Sequence, residues 1–231
     1  MTKAFARAIG TGAIVAAVLT TGFLINTQRA RAEDGEDDID QSKVRIGLAI
    51  TPVQLKFAGK NRSLLGLGSY IVNAQGDCNG CHSLDPAKEF LPGGNPYFGQ
   101  HPTKVNPKTF LGGGRNFGAL IPGSAEIISR NLTPDKSGRP EGGNSLTEFM
   151  HIIRTGTDMD KWHPTCKGAP GPHCVPAPFD GSLLQIMPWP IYANMTDLDL
   201  RAIYEYLSAI PCIEGDPGNP AGADTKGHRC K

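Results

Sequence analysis

The chain has 231 residues, with 23 Lys and Arg against 22 Asp and Glu, a formal charge of +1. It shows neither the basic stripe nor the aromatic platform that nucleic-acid binding requires, which excludes that class of partner. Its 29 Gly and 19 Pro point to a domain with much loop, and its six Cys point to chemistry or crosslinks.

The first 32 residues read as an export signal. Lys3 and Arg7 give a positive start, residues 8–25 are uncharged and apolar or small, and Ala30-Arg31-Ala32 forms an A-x-A cleavage site before Glu33. The alternative is an uncleaved anchor, and membrane association is expected only in that case. The apolar run is near the lower limit for spanning a bilayer. Four of the basic residues and no acid lie in this segment, so the remaining 199 residues carry 19 basic and 22 acidic groups, a net of −3. Six of those acids crowd residues 33–40, and 33–60 reads as an acidic, flexible N-terminal segment with no clear period.

Residues 63–75 show helical spacing at Leu64, Leu67, Tyr70, Ile71 and Ala74. This helix runs into Cys78-Asn79-Gly80-Cys81-His82, a C-x-x-C-H sequence. That pattern is the attachment site of a c-type haem. Two thiols on one turn can add across the two vinyl groups, and the adjacent imidazole turns toward the iron as an axial ligand. A zinc site would need a second ligand pair at similar spacing, and a thioredoxin-like site a βαβ setting; neither is present. One such motif implies one covalently attached haem c. The order of reactions fits an exported protein, because haem is attached outside the cytoplasm.

Residues 83–144 read as loop, punctuated by Gly and Pro. The run Gly112-Gly113-Gly114 lacks the Lys-Ser/Thr ending of a phosphate loop and reads as a segment packed closely around the flat porphyrin. Ser145-Leu146-Thr147-Glu148 is a capping box that starts a helix carrying Phe149, Ile152 and Ile153 and stopping at Gly156. Residues 157–186 read as loop. Thr196 caps a last helix with a stripe of Leu200, Ile203, Tyr204 and Leu207, ended by Pro211. Strand signals are slight. The fold class is mostly α, with a signal peptide at 1–32, the flexible segment at 33–60, a monohaem domain at 61–211 and a C-terminal tail at 212–231.

Cys166, Cys174, Cys212 and Cys230 remain after the haem takes two thiols. In an oxidising compartment an even number reads as disulfides. Three pairings are possible. The simplest joins Cys166 to Cys174 and Cys212 to Cys230, each closing a short loop and the second tethering the tail. A metal site on the first pair with His163 and His173 is the rival.

The second axial ligand sets function. Met187 is the best candidate, because Pro188 and Pro190 stiffen its loop ahead of the last helix. Met195 is the nearest rival, at the helix entry; Met150 and Met159 stand further off. His101, His151, His163, His173 and His228 could give a bis-histidine centre, but none sits in a comparably rigid loop.

The order of these parts resembles the class I c-type cytochromes and, more narrowly, the cytochrome subunits and domains of quinoprotein (alcohol) dehydrogenases. The stretches that carry the likeness are 76-GDCNGCHS-83, 130-RNLTPDKSG-138, 148-EFMHIIRTG-156 and 187-MPWPIYANMTDLDLRAIYEYLSAIP-211. The resemblance implies a cytochrome c fold: N-terminal helix, haem loop, middle helix, Met loop and C-terminal helix. It implies thioethers on Cys78 and Cys81, His82 as proximal ligand and Met187 as distal ligand. It implies an electron carrier rather than an enzyme, working in the periplasm between a dehydrogenase and a downstream cytochrome or oxidase. The single haem and the four extra cysteines depart from the usual pattern of that subgroup. The competing expectations are a haem enzyme or gas binder with an open sixth position, and an accessory subunit whose haem docks permanently in a larger dehydrogenase.

Overall fold

The computed structural model describes residues 39–214 and 229–231, and Asp40–Lys231 form one unit. The architecture is mostly helical. Helix α1 (Gln41–Ile50) starts at Asp40, whose carboxylate accepts the Ser42 N–H at 2.8 Å. It buries Val44 and Gly47 against helix α2 (Arg62–Tyr70), and the Ser69 hydroxyl donates to the Gly47 carbonyl at 2.7 Å. Residues 41–50 are therefore helical, which corrects the reading of 33–60 as one flexible segment. A contact face two residues wide, one of them glycine, leaves no apolar period to detect. The acidic run up to residue 38 and the expected export signal with its cleavage site lie outside the described residues.

The Asn61 side chain caps α2, accepting from the N–H groups of Ser63 and Leu64 at 2.8 and 3.1 Å. The helix packs between α1 and the last helix, so Leu64, Leu65, Leu67 and Ser69 are all buried. At Gly68 a methyl group would overlap the backbone of Ala202 on the last helix. Only glycine permits that crossing distance. α2 continues as a π-helical turn, Ile71–Gln75. The wider turn buries Ile71 and Val72 but leaves Ala74 exposed, against the expected stripe. Helix α3 (Cys78–His82) follows directly.

A two-stranded antiparallel sheet, β1 (Asn116–Ala119) with β2 (Glu126–Ile128), is too short to have left a sequence signal. Helix α4 (Leu146–Thr155) begins with the expected reciprocal capping box between Ser145 and Glu148 and ends at Gly156, with φ 70°. A short helix α5 (Trp189–Tyr192) precedes α6 (Asp197–Ala209), which has a second box between Thr196 and Asp199. Each cap stabilises its helix by about 1 kcal/mol. Leu200 and Leu207 of α6 are buried as expected, whereas Ile203 and Tyr204 are only partly so. Tyr206 is the fully buried aromatic of this helix, its hydroxyl 2.9 Å from Thr51 Oγ1 and 3.1 Å from Asn73 Nδ2.

Both local disulfides form, Cys166–Cys174 and Cys212–Cys230. Among the described residues no group of His, Cys, Asp and Glu is arranged to hold a metal ion, and no helix is long and apolar enough to cross a membrane.

Candidate functional site

The C-x-x-C-H segment forms one helical turn because its neighbours hold it from two sides. Asp77 precedes it in the left-handed conformation, φ 43°, which redirects the chain out of the π-helical turn. Asn79, between the cysteines, is buried. Its carbonyl oxygen accepts the Leu111 N–H at 2.9 Å and its amide donates to Glu89 at 3.2 Å. The Gly113 N–H donates to the His82 carbonyl at 2.7 Å. The triple glycine therefore packs behind the motif, not against the cavity, which corrects the expectation that it lies around the porphyrin.

Cys78 and Cys81 are not joined to each other. Burial lifts the Cys78 thiol to about 12, with the Asp77 carboxylate adding to the effect. In this environment the sulfur is a neutral thiol rather than a thiolate. The His82 ring places Nδ1 2.7 Å from the Arg130 carbonyl. A carbonyl can only accept, so Nδ1 carries the hydrogen and Nε2 keeps its lone pair. Burial also holds His82 below the ordinary imidazole range, and the Arg130 hydrogen bond opposes this. The ring is thus neutral, oriented and able to donate an electron pair.

Cys78, Cys81, His82 and Met187 line one cavity of about 300 Å³. One wall is apolar and helical, from Ile71, Val72, Phe149, Ile153, Leu200 and Leu207. The other comes from residues 157–186, including Asp158, Trp162, His163, Leu183 and Leu184. Met187 enters from a tight turn in which its N–H donates to the Gln185 carbonyl at 2.7 Å and its carbonyl accepts from Trp189 at 2.8 Å. The preceding Ile186 has φ 68°, unusual for a β-branched residue. The Trp189 ring covers Gly156 so closely that a side chain there would overlap it, and its indole N–H donates to Leu184 at 3.2 Å.

Met195 lines the same cavity, but its carbonyl is clasped by Arg154 at 2.6 Å, which ties its backbone to α4 and α6. Met159, His101, His151 and His173 are exposed, and none lines the cavity. Met150 packs against the core. His163 does line it, and its Nδ1 is buried without a hydrogen-bond partner. His228 lies outside the described residues. Sequence reasoning missed Arg130 and Asp158. Arg130 acts on His82 through its backbone carbonyl, which no side-chain pattern reports.

The set fits a haem. Two thiols and a neutral imidazole occupy one turn, a thioether faces the same space, and apolar walls end in a polar corner with an unsatisfied nitrogen, as an amphiphilic ring requires. One curated relative supports this. The gluconate 2-dehydrogenase cytochrome c subunit of Pantoea cypripedii is 29% identical over 146 residues, 63% of this chain. The chain is cytochrome c-like. The match spans 23% of that relative's own length. No protein-family model and no solved structure matches the chain.

Proposed function

We propose that the chain is an exported, single-haem c-type cytochrome that carries electrons from a dehydrogenase toward the respiratory chain. The observation that carries this is the convergence of Cys78, Cys81, His82 and Met187 on one mostly apolar cavity. When bound, the haem supplies an iron that cycles between the ferric and ferrous states. The chain's residues do the rest. Cys78 and Cys81 would tether the ring, His82 Nε2 and the Met187 thioether would hold the iron, and the apolar wall would exclude water. A soft thioether favours the ferrous state and raises the potential. With both ligands in place the iron would offer no position to a substrate, which suits a carrier rather than an enzyme. A dehydrogenase partner is supported by the relative's name. Cleavage before Glu33 and residence in the periplasm complete the reading.

The test is the spectrum of the exported protein. The oxidised form should be low-spin, carry the weak far-red band of thioether-to-iron charge transfer, and bind carbon monoxide poorly. Met187→Ala should remove the band and open the iron, and Met195→Ala should do neither. If Met195→Ala erased the band while Met187→Ala kept it, the ligand assignment would move by one loop. If neither changed the spectrum, the sixth position would belong to histidine or water and the carrier reading would fall. Mass spectrometry should find the mature N-terminus at Glu33; a start at Met1 would favour the anchor.

A further inference from the structure

Arg130 touches both sides of the cavity. Its carbonyl accepts the His82 Nδ1 hydrogen at 2.7 Å, and its guanidinium is held by the carboxylates of Asp158 and Asp160. All three side chains are largely buried, with relative exposures of 18% for Arg130, 9% for Asp158 and 14% for Asp160. The other bonds of Asp158 run toward Met187. The Asp158 N–H donates to the Ser182 carbonyl at 2.8 Å, and Thr157 bridges Leu183. The next residue, Leu184, donates to Gly156 at 2.7 Å and accepts from the Trp189 indole. Met187 lies between those two anchor points. The Asp158 carboxylate also gathers the N–H groups of Asp160, Lys161 and Trp162, at 3.1, 3.2 and 3.3 Å, which fixes the start of the loop.

We infer that Arg130 is a positioning residue for both axial ligands: its backbone orients His82, and its ion triad with Asp158 and Asp160 fixes the loop that presents Met187. This rests on the reading of Met187 as the sixth ligand. Physically, two strands of chain far apart in sequence are locked by one side chain. Arg suits this because its planar fork can engage two carboxylates at once, while lysine offers a single point of charge. A buried triad of this kind adds little net stability. Removing Arg130, however, would leave two carboxylates uncompensated, and neutralising either aspartate takes away one of the two anchors that hold the loop to Arg130. Loosening it therefore acts on ligand geometry before it acts on the fold.

The experiment compares haem-loaded wild type with Asp158→Asn, Asp160→Asn, Arg130→Lys and, as control, Glu205→Gln. Glu205 pairs with Lys60 at 3.1 Å, and neither residue lines the cavity. Each protein is heated while the far-red band and the helical circular dichroism are followed, and carbon monoxide binding is measured at room temperature. In the two Asp variants the band should bleach at a temperature where the helices remain intact. Carbon monoxide should bind about tenfold faster or more, the size of change typical of residues that orient a metal ligand. Arg130→Lys should fall between these and wild type, and Glu205→Gln should match wild type. The milder Asp160→Asn and Arg130→Lys keep the test open if Asp158→Asn fails to load haem. If the variants keep the wild-type band and resistance to carbon monoxide, or lose the band only as the helices unfold, the triad is merely structural and the inference fails. A wild type with no far-red band would instead overturn the Met187 reading, and this inference with it.

Discussion

The helical wall of the cavity and the wall from residues 157–186 are held by different forces. Ile71, Val72, Phe149, Ile153, Leu200 and Leu207 belong to interlocked helices whose contacts are buried and apolar. Across the cavity, the Arg130 triad, the bridge between Thr165 and Val175, and the Cys166–Cys174 crosslink do the same work with polar groups and a covalent bond. Only Val175 and Pro176 within the segment 164–178 are buried. Apolar packing is cooperative and tolerates no local opening. Polar locks can release one at a time. The comparison predicts that the polar wall can open while the helical wall stays folded, but not the reverse.

The largest effect is expected where the walls meet. Replacing Cys78 and Cys81 with Ala should abolish covalently held haem, so that acid-acetone extraction leaves colourless polypeptide. Extractable haem in the native protein would remove the basis for treating the cavity as a c-type site. In the core behind the helical wall, Leu65→Ala deletes a side chain with 0% exposure and should cost about 2–5 kcal/mol in denaturant unfolding. Both walls should be lost together in that variant, because the loop has no core of its own.

The converse test is Cys166→Ser with Cys174→Ser. A crosslink closing so short a loop contributes about 2–3 kcal/mol on chain-entropy grounds. Limited proteolysis within residues 160–180 should become rapid while the helical circular dichroism is unchanged. Simultaneous loss of helix would show that the two walls are a single cooperative unit.

The smallest effect concerns Tyr206. Losing its hydroxyl bonds in Tyr206→Phe should cost about 1 kcal/mol near neutral pH. Burial raises this phenol above its ordinary value of 10.0. The folded state therefore holds the proton more tightly than the unfolded chain, and stability is lost as pH climbs above 10. The Phe variant should lose less stability than wild type over that alkaline range, as followed by pH-dependent denaturation.

The same contrast explains what the sequence made legible. The capping box at Ser145, the cap at Thr196, the stop at Gly156 and the pairing of near cysteines are local rules, and each appears where its residues predict it. Helix α1 escaped because its contact is made through Gly47 and Val44, too few residues to set a period. Tyr206 escaped because burial there comes from the approach of Thr51 and Asn73, which are distant in sequence. Cys78, Cys81, His82 and Met187, which share one cavity, could be picked out by chemistry. The wall that faces them could not, because Arg130 and Asp158 are paired by tertiary contact alone.

Asn79 carries a further consequence. The two positions between the cysteines of a C-x-x-C-H sequence have no task in bonding the ring. Here one of them is bolted to Leu111 and Glu89, members of the long Gly/Pro-rich segment that follows. The pentapeptide and that segment are therefore one part rather than two. Grafting Cys78–His82 onto another scaffold would transfer the chemistry without its support, and trimming the segment here would unseat the turn that the chemistry needs.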